Sequence, residues 1–502
     1  MKNMKKLIAC MLGLALIMST VPVVETQAAA KGAALSSSSV ILVKGKSTTI
    51  KVKNAAEKAS WAVISGPECI SIRKNGNTVV VKGKKYGAAR LQAVVSGKKY
   101  VCIIDVVCEG DAKALNDILT KQKKAGRLKG TEKGRYMWKN GRLTWIHWQH
   151  AGLVGALDVS KLTALDSLDV SNNQLTSLNV SGNPKLEWLS CSGNRLTMVD
   201  VSKNQKLKGL NCDDNQLTSL NVSKNQKLDG LYCCGNRLAS LDVSGNQKLT
   251  SFDCTDNQLT SLNVSGNPKL EWLNCSGNRL TSLDVSKNSK LERLYCGGNR
   301  LTRVLVSKNP ELRLFDCSNN KLTSLNVSDN TKLETFLCHI NKLTNVDISN
   351  NPALWEFNCS YNQLTDLDTS NNPGLRELRC SYNQLASLDV SQNPELECFD
   401  CGKNQLTDLD VSKNLNLWQL CCDGNKLTDL DVSKNFILRQ LYCNINGLTD
   451  LDVSNNLELL RLDCDNNKLT RLDVSRNVAL EQLFCDRDVE LTGVADGVQV
   501  NR

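Results

Sequence analysis

Leucine, cysteine and valine recur along this chain with a period of 21 residues, from Leu165 almost to the C-terminus. Each unit joins ten residues of the form L-x-x-L-x-C-x-x-N-x to eleven of the form L-T-x-L-D/N-V-S-x-N-x-x, as in residues 186–206. The middle of each half alternates apolar and polar positions, which indicates a strand with one buried side. A 21-residue unit has no room for an ordinary helix of about 11 residues as well. We therefore predict a mainly β solenoid with two parallel sheets.

A cysteine marks every unit after the first, and its place in the alternation predicts a side chain in the interior. Equivalent Cα atoms in stacked turns lie about 4.8 Å apart, but their parallel Cβ vectors give poor disulfide torsions. Cysteine then serves as a small apolar filler, as Val170 does in the first turn, and we predict reduced thiols. Cys234, Cys398 and Cys421 fall outside the series and are expected to face outward. The series is Cys191, Cys212, Cys233, Cys254, Cys275, Cys296, Cys317, Cys338, Cys359, Cys380, Cys401, Cys422, Cys443, Cys464 and Cys485.

Two asparagines per unit close the two halves, in the series that begin at Asn194 and Asn183. An unpaired polar group inside a corner would cost about 1–3 kcal/mol. Because an Asn side chain both donates and accepts, stacked copies are expected to bond the backbone of the neighbouring turn. These residues are predicted to be structural.

This motif resembles the short bacterial leucine-rich repeat with nested ten- and eleven-residue periods. The resemblance covers about two thirds of the chain, in about sixteen turns. It implies a secreted or cell-surface bacterial protein that binds another macromolecule.

The chain begins with the features of a signal peptide at residues 1–30: the basic MKNMKK, an apolar run from Leu7 to Met18, and small residues at Ala28 to Ala30. The run is shorter than the roughly 18 residues of a spanning helix. No second apolar segment follows, so we expect export without a transmembrane anchor, and a protein that is secreted or held non-covalently at the cell surface.

Residues 31–108 read as short alternating strands separated by Gly, Lys and Asn turns. The run from SWAVISG to YVCIIDV resembles the bacterial immunoglobulin-like domain of the second group, which implies a small β-sandwich with Trp61 in its core. The spacing of Cys69 and Cys102 leaves open whether they form a disulfide.

Caps are expected at both ends of the solenoid, which is assigned to residues 165–485. Residues 109–164 contain a helix-like stretch and an aromatic segment that can cover the first turn. The pattern decays after Cys485, where Asp488 replaces the repeated Asn, so residues 486–502 are expected to form the second cap. The aromatic segment offers Met137, Trp138, Trp145, Ile146 and Trp148 as lid residues.

Charge divides along the chain. Residues 31–142 carry 24 Lys and Arg against seven Asp and Glu, a net of +17, whereas residues 143–502 carry a net of −8 within the total of +11. A basic stem is attracted to polyanions such as anionic cell-wall polymers, although a solvated Lys-rich surface gives the same count. An acidic main domain argues against nucleic acid as a partner.

The outward positions of the first-half strand change from turn to turn, whereas those of the second half stay Ser, Asp or Asn. Trp, Tyr and Arg carry most binding energy at protein interfaces, so we predict that the first-half sheet binds a host or bacterial surface protein or glycan. The alternative is neutral drift of exposed strand positions. The candidate binding residues are Trp188, Tyr232, Trp272, Arg293, Tyr295, Arg379 and Tyr442.

Aspartate repeats at one second-half position in seven successive turns, where neighbouring carboxylates repel by about 1 kcal/mol even in water. Carboxylate arrays bind Ca²⁺, and millimolar affinity is common outside cells, so a weak calcium site is one interpretation. Solvated aspartates with diffuse counterions are the other. The ladder consists of Asp347, Asp368, Asp389, Asp410, Asp431, Asp452 and Asp473.

No constellation in the chain is typical of an enzyme, since an active site needs unique residues and these carboxylates repeat on flat sheets. We expect a non-enzymatic recognition and adhesion protein without a cofactor, apart from the weak calcium site. A passive structural spacer is the alternative, and an enzyme acting on glycans is a third and more remote one.

Overall fold

The computed structural model describes residues 32–124 and 135–502. The predicted signal peptide, residues 1–30, lies outside these residues. The described chain divides into two units, with the boundary between Ala112 and Lys113. Within the described residues, no helix is both long enough and apolar enough to cross a membrane.

Two four-stranded sheets form the N-terminal unit, and they share one buried core. Its strands are β1 (Ala34–Leu35), β2 (Ser39–Val43), β3 (Ser47–Lys53), β4 (Ser60–Ser65), β5 (Ile70–Asn75), β6 (Thr78–Gly83), β7 (Gly87–Val95) and β8 (Lys98–Val107). The strand orders are β1-β3-β6-β5 and β2-β8-β7-β4. Trp61 lies in the core as predicted, and its Nε1 donates a hydrogen bond to the carbonyl of Gly76 at 2.9 Å. Cys69 and Cys102 are both buried, and no disulfide joins them.

Helix α1 (Glu109–Lys124) leads into the second unit, and its end caps the backbone of the first turn. Ala114 and Leu115 are buried in the core of that unit. The amide of Gln122 pairs with both backbone groups of Val154: Oε1 accepts from the N–H at 3.1 Å, and Nε2 donates to the carbonyl at 3.3 Å. An open edge of the first turn is thereby closed.

A hairpin of β9 (Tyr136–Lys139) and β10 (Arg142–His147) follows, and β10 pairs in parallel with the first short strand of the solenoid. Ile146 and Trp148 are fully buried, and Trp138 packs partly buried against the core, as expected for a lid. Trp145 is only half-buried. The prediction for Met137 is wrong: its side chain is 40% exposed, because it points to the opposite side of β9 from Tyr136 and Trp138.

The first halves of the units form one long parallel sheet, with the three residues of each strand in register with the next. The central residue of each strand is buried and the outer two point away from the core. Its three-residue strands are Ser167–Asp169, Trp188–Ser190, Gly209–Asn211, Gly230–Tyr232, Ser251–Asp253, Trp272–Asn274, Arg293–Tyr295, Leu314–Asp316, Thr335–Leu337, Glu356–Asn358, Glu377–Arg379, Cys398–Asp400, Gln419–Cys421, Gln440–Tyr442, Arg461–Asp463, Gln482–Phe484 and Gln499–Asn501.

The second sheet is shorter than predicted. Among the described residues, second-half strands pair only in three places, Val154–Asp158 with Gln174–Asn179, Leu283–Asp284 with Val304–Leu305, and Arg471–Asp473 with Glu490–Thr492. In the other described turns the second half has no strand pairing. The repeated Asp or Asn accepts a hydrogen bond from the backbone N–H of the Ser two residues later, as Asp200 does from Ser202 at 2.9 Å. The same bond is made in paired strands, as Asp284 accepts from Ser286 at 2.8 Å, so it does not decide which second-half strands pair.

Both asparagine series bond the backbone of neighbouring turns, as predicted. In the first half, the amide of Asn278 accepts from the N–H of Leu259 at 2.9 Å and donates to the carbonyls of Cys254, Cys275 and Ser276. In the second half, Asn288 Nδ2 donates to the carbonyls of Val264 and Asn267. Each turn is thus tied to its neighbour at both corners.

Thr369 supplies a hydrogen-bond donor to a side-chain oxygen of the second asparagine series, and most other turns of the described chain lack this donor. Its hydroxyl donates to Asn393 Oδ1 at 2.7 Å, where most other turns carry Val. The equivalent oxygens in neighbouring turns, on Asn372 and Asn414, are buried without a donor. A single hydroxyl therefore supplies the missing partner in one turn.

All fifteen cysteines of the series are buried in the core, as predicted. Burial raises the pKa of every one of these thiols, which disfavours the reactive thiolate. Cys234 and Cys421 are half-buried. Cys398 occupies an outward position of its strand as predicted, but it is buried rather than exposed, because the Gln419 side chain lies against it with Oε1 3.5 Å from Sγ.

After the last cysteine the chain adds one more turn. Glu490–Thr492 and Gln499–Asn501 pair in parallel with the strands of the preceding unit. Asp486 accepts from the N–H groups of Asn466 and Asn467 at 2.9 and 3.0 Å, so its carboxylate closes a corner at this end.

Candidate functional site

The outward side chains of the long sheet form a continuous surface, here called the variable face. Strands in register bring the first residues of successive strands into one row and the third residues into another. All seven candidate binding residues lie on this face, and each is half-buried. They fall into two groups, one before and one after the middle of the solenoid.

The first group contains Arg293 and four aromatic side chains, and these four are here called the aromatic row: Trp188 and Trp272 are first residues of their strands, and Tyr232 and Tyr295 are third residues. The ring centroids of Tyr232 and Trp272 are 6.2 Å apart, and those of Trp272 and Tyr295 are 6.4 Å apart. Trp188 lies two strands before Tyr232, and Arg293 is on the same strand as Tyr295.

Two glycines make room for these rings. A Cβ on Gly209 would lie 2.3 Å from the Trp188 indole, and one on Gly230 would lie 3.2 Å from the Tyr232 ring. Both glycines are buried beneath the rings. Trp188 and Tyr232 therefore each lie close over a glycine, at a distance that a larger residue there would not allow.

Carboxylates gather beside the aromatic row. Burial raises the pKa of Asp213 to about 7 and also raises the pKa values of Asp229 and Asp253. Asp214 and Asp256 are exposed in the next corner positions, in the left-handed conformation with φ of 50°. We call these five residues the acidic cluster.

Asp213→Asn is expected to stabilise the folded chain at pH 8 by about 2–4 kcal/mol. The folded pKa lies above the usual value, so ionisation of Asp213 costs stability progressively as the pH rises from about 4 to 7, and asparagine avoids that cost. The amide oxygen can still accept the N–H of Cys234, now 2.7 Å from Asp213 Oδ1. Urea unfolding at pH 4, 6 and 8 measures the effect.

The matched control is Asp242→Asn. Asp242 is exposed, and hydrogen bonds from Ser244 lower its pKa, so this change should give no gain at pH 8. A gain from Asp213→Asn that is equal at all three pH values would show that charge burial is not its cause.

The second group of candidates lies among charges that are already paired. Arg379 contacts Glu377 at 2.8 Å and Glu356 at 3.8 Å. The guanidinium of Arg461 lies 5.2 Å from the Tyr442 ring centroid and 4.8 Å from that of Phe484. Between Arg379 and Tyr442 is a shallow depression of about 280 Å³, lined by Ser381, Tyr382, Asp400, Gly402, Lys403, Gln419, Cys421, Asp423 and Tyr442.

The corner residues Ile340, Tyr361 and Tyr382 were not predicted from the sequence as part of this face. All three have φ of 55–56° and are 45–48% exposed, and the two tyrosine rings stack at 4.1 Å. A β-branched or bulky residue is rare in this conformation, which other turns fill with Gly, as at Gly193. Bulky residues at a Gly, Asn or Asp position were the signal that could have found them.

The aspartate ladder lies on the second-half side of the solenoid, here called the uniform face. Each carboxylate accepts a hydrogen bond from the backbone N–H of the serine two residues later at 2.8–2.9 Å, and bonds from that serine lower the pKa of each. Within residues 32–124 and 135–502, no group of three or more His, Cys, Asp or Glu side chains is placed to hold a metal ion. The ladder has a structural role in these turns, and calcium binding by it stays a prediction.

Solved structures identify the repeat. The functional domain of InlJ from Listeria monocytogenes, which includes a cysteine ladder, is 35% identical to this chain, with a TM-score of 0.58 over 66% of this chain and 70% of that one. This chain belongs to the leucine-rich repeat family.

Two further leucine-rich repeat structures share the fold at lower identity. Internalin InlF from Listeria monocytogenes strain 4b F2365 is 19% identical, with a TM-score of 0.56 over 67% of this chain and 98% of its own. YopM from Yersinia enterocolitica WA-314 is 22% identical, with a TM-score of 0.56 over 78% and 95%. No protein-family model and no curated protein matches this leucine-rich repeat chain.

Proposed function

We propose that this leucine-rich repeat protein is exported to the surface or surroundings of a bacterial cell, where its variable face binds a surface protein of a host or of another bacterium. The observation that carries the proposal is the contrast between the two faces. Aromatic side chains together with Arg293 and Arg379 project from the variable face, whereas the uniform face mainly repeats Asp, Asn and Ser, and its Asp and Asn side chains bond their own backbone. Aromatic and Arg side chains are the usual anchors of protein interfaces.

The N-terminal unit is proposed to be an immunoglobulin-like stem. Its two sheets around the buried Trp61 support this assignment. All thirteen Lys and Arg residues from Lys44 to Lys99 are exposed, which would favour attraction to anionic wall polymers. Export rests on the signal-peptide pattern at residues 1–30. We propose a non-enzymatic role throughout.

Alanine substitutions on the variable face are expected to weaken binding of the partner at least about tenfold. The full chain is immobilised, partners are captured from a surface-protein extract, and the purified partner is then measured by calorimetry against Trp272→Ala and against Arg379→Ala with Tyr442→Ala. These side chains are half-buried anchors that the solenoid does not need for its core. Circular dichroism verifies that each variant is folded.

The control carries Asp389→Ala and Asp410→Ala on the uniform face and should bind within about twofold of the unchanged chain. If both sets of variants weakened binding equally, or if no partner bound a purified chain, the solenoid would be a passive spacer. Binding lost only in the uniform-face variant would move the site to that face.

A further inference from the structure

The aromatic row and the acidic cluster occupy the same stretch of the variable face. Asp213 and Asp253 are half-buried close to Tyr232, and both carboxylates contribute to the electrostatic environment of its hydroxyl. We propose that this stretch, Trp188 to Tyr295, binds an extended basic peptide segment of the partner, whose Lys or Arg side chains lie on the rings and against the carboxylates. This rests on the proposed function and names the chemistry of the partner.

The charge of the acidic cluster favours a cationic partner. None of the salt bridges found in the described residues involves the five carboxylates of the acidic cluster. Asp229 Oδ1 is buried and accepts no hydrogen bond. Burial also penalises ionised Asp213 and Asp253. A cation brought by a partner would offset these costs, whereas a phosphate or an acidic segment would add to them.

The aromatic rings also favour a cationic partner. A cation within about 6 Å of an aromatic centroid is attracted to the ring face, and the attraction grows as water is excluded. The side chains of Tyr232, Trp272 and Tyr295 are partly exposed, and adjacent rings are inclined to each other by 37° and 65°. The row therefore offers several adjacent cation-binding surfaces.

Spacing selects an extended peptide. Alternate residues of a strand lie about 6.6–6.8 Å apart, close to the 6.2 and 6.4 Å between the ring centroids. A helix instead repeats every 5.4 Å along its axis. Side chains on one side of an extended segment would thus meet successive rings when the segment runs along the solenoid.

The other end of the face does not offer the same site. Arg379 and Lys403 already pair with Glu377 and Asp423, at 2.8 and 3.2 Å, and Arg461 already lies on the Tyr442 ring. The cation positions in this part are occupied by the protein itself. Basic peptides should therefore prefer the stretch from Trp188 to Tyr295.

A fluorescein-labelled peptide of five Arg-Ser repeats tests the proposal with the full chain, by fluorescence anisotropy at 50 and 300 mM NaCl. We expect binding that weakens at the higher salt, and binding at least about tenfold weaker in the Asp253→Asn, Asp256→Asn double variant. Asparagine preserves the oxygen that accepts the N–H of Thr255 at 2.9 Å from Asp253. Trp272→Ala should weaken binding at least about threefold.

Two matched control variants test whether peptide binding depends on this site or only on the negative charge of the protein as a whole. Asp389→Asn with Asp410→Asn removes the same charge from the uniform face, and Trp418→Ala removes an exposed tryptophan elsewhere, 37% exposed. Both should bind the Arg-Ser peptide within about twofold of the unchanged chain. Equal weakening in the controls, no binding of this peptide, or equal binding of a Gln-Ser repeat peptide would overturn the proposal.

Failure of the basic-peptide site can be distinguished from failure of the proposed recognition function. If a natural partner is lost with Arg379→Ala and Tyr442→Ala but is retained by the Asp253, Asp256 and Trp272 variants, the variable face binds its partner elsewhere. The recognition function would then stand and the basic-peptide site would be wrong.

Discussion

Asn278→Asp is expected to destabilise the solenoid by roughly 3–5 kcal/mol. Asn278 is 7% exposed, and its Nδ2 donates to three backbone carbonyls. An aspartate cannot donate, so a carboxylate would face the carbonyl oxygens of Cys254, Cys275 and Ser276 without solvent to screen it. Urea unfolding followed by circular dichroism at pH 8 measures the change.

The chain supplies a matched control in the same region. Asn263 is exposed, and its Oδ1 accepts from the N–H of Ser265 at 3.0 Å. Asp242 and Asp284 already occupy the equivalent position in the neighbouring turns and make the same bond. Asn263→Asp should change stability by less than about 0.5 kcal/mol, so similar midpoints for the two Asn→Asp variants would contradict the assigned role of Asn278.

Phe336→Ala is expected to cost about 3–5 kcal/mol. The side chain is fully buried between Phe315 and Phe357, with ring centroids 5.7 and 5.4 Å away. Alanine would leave a cavity between two rigid turns whose backbones are held by hydrogen bonds and cannot close on it. Thermal and urea unfolding measure the loss.

Phe336→Leu distinguishes volume from aromatic stacking. Leucine fills the equivalent site at Leu294 and Leu378, so this variant should lose less than about 2 kcal/mol. Thr344→Ala, at an exposed position of the same turn, should be nearly neutral. A Phe336→Ala variant as stable as Thr344→Ala would mean that the aromatic stack does not support the core.

Most of the fold could be predicted because every turn buries the same residue types at the same positions. The inward positions of Leu189, Cys191 and Val201 follow from the alternation alone, and the corner role of Asn194 follows from the need to pair buried backbone groups. The extent of the second sheet could not be predicted, because the same Asp–Ser pattern occurs in a turn that pairs, at Asp284, and in one that does not, at Asp200.

The sequence predicts that the candidate binding residues share one face, but it does not predict which of their side chains contact each other or a charged neighbour. Alternation places Trp272 and Arg379 on the same face, but whether a charged side chain is free or paired depends on neighbours in adjacent turns, as the Glu377 contact of Arg379 shows. The burial of Cys398 under Gln419 is a similar case. Side-chain conformations of this kind are not encoded in a periodic pattern.

The register of the long sheet has an evolutionary consequence. Each strand from Trp188–Ser190 to Arg461–Asp463 hydrogen-bonds only to the strand of the turn before and the turn after. A gene segment encoding one 21-residue turn can therefore be duplicated or lost by recombination while the remaining turns keep their geometry. The length of the solenoid, and with it the reach of its face, can change between strains without redesign of either cap.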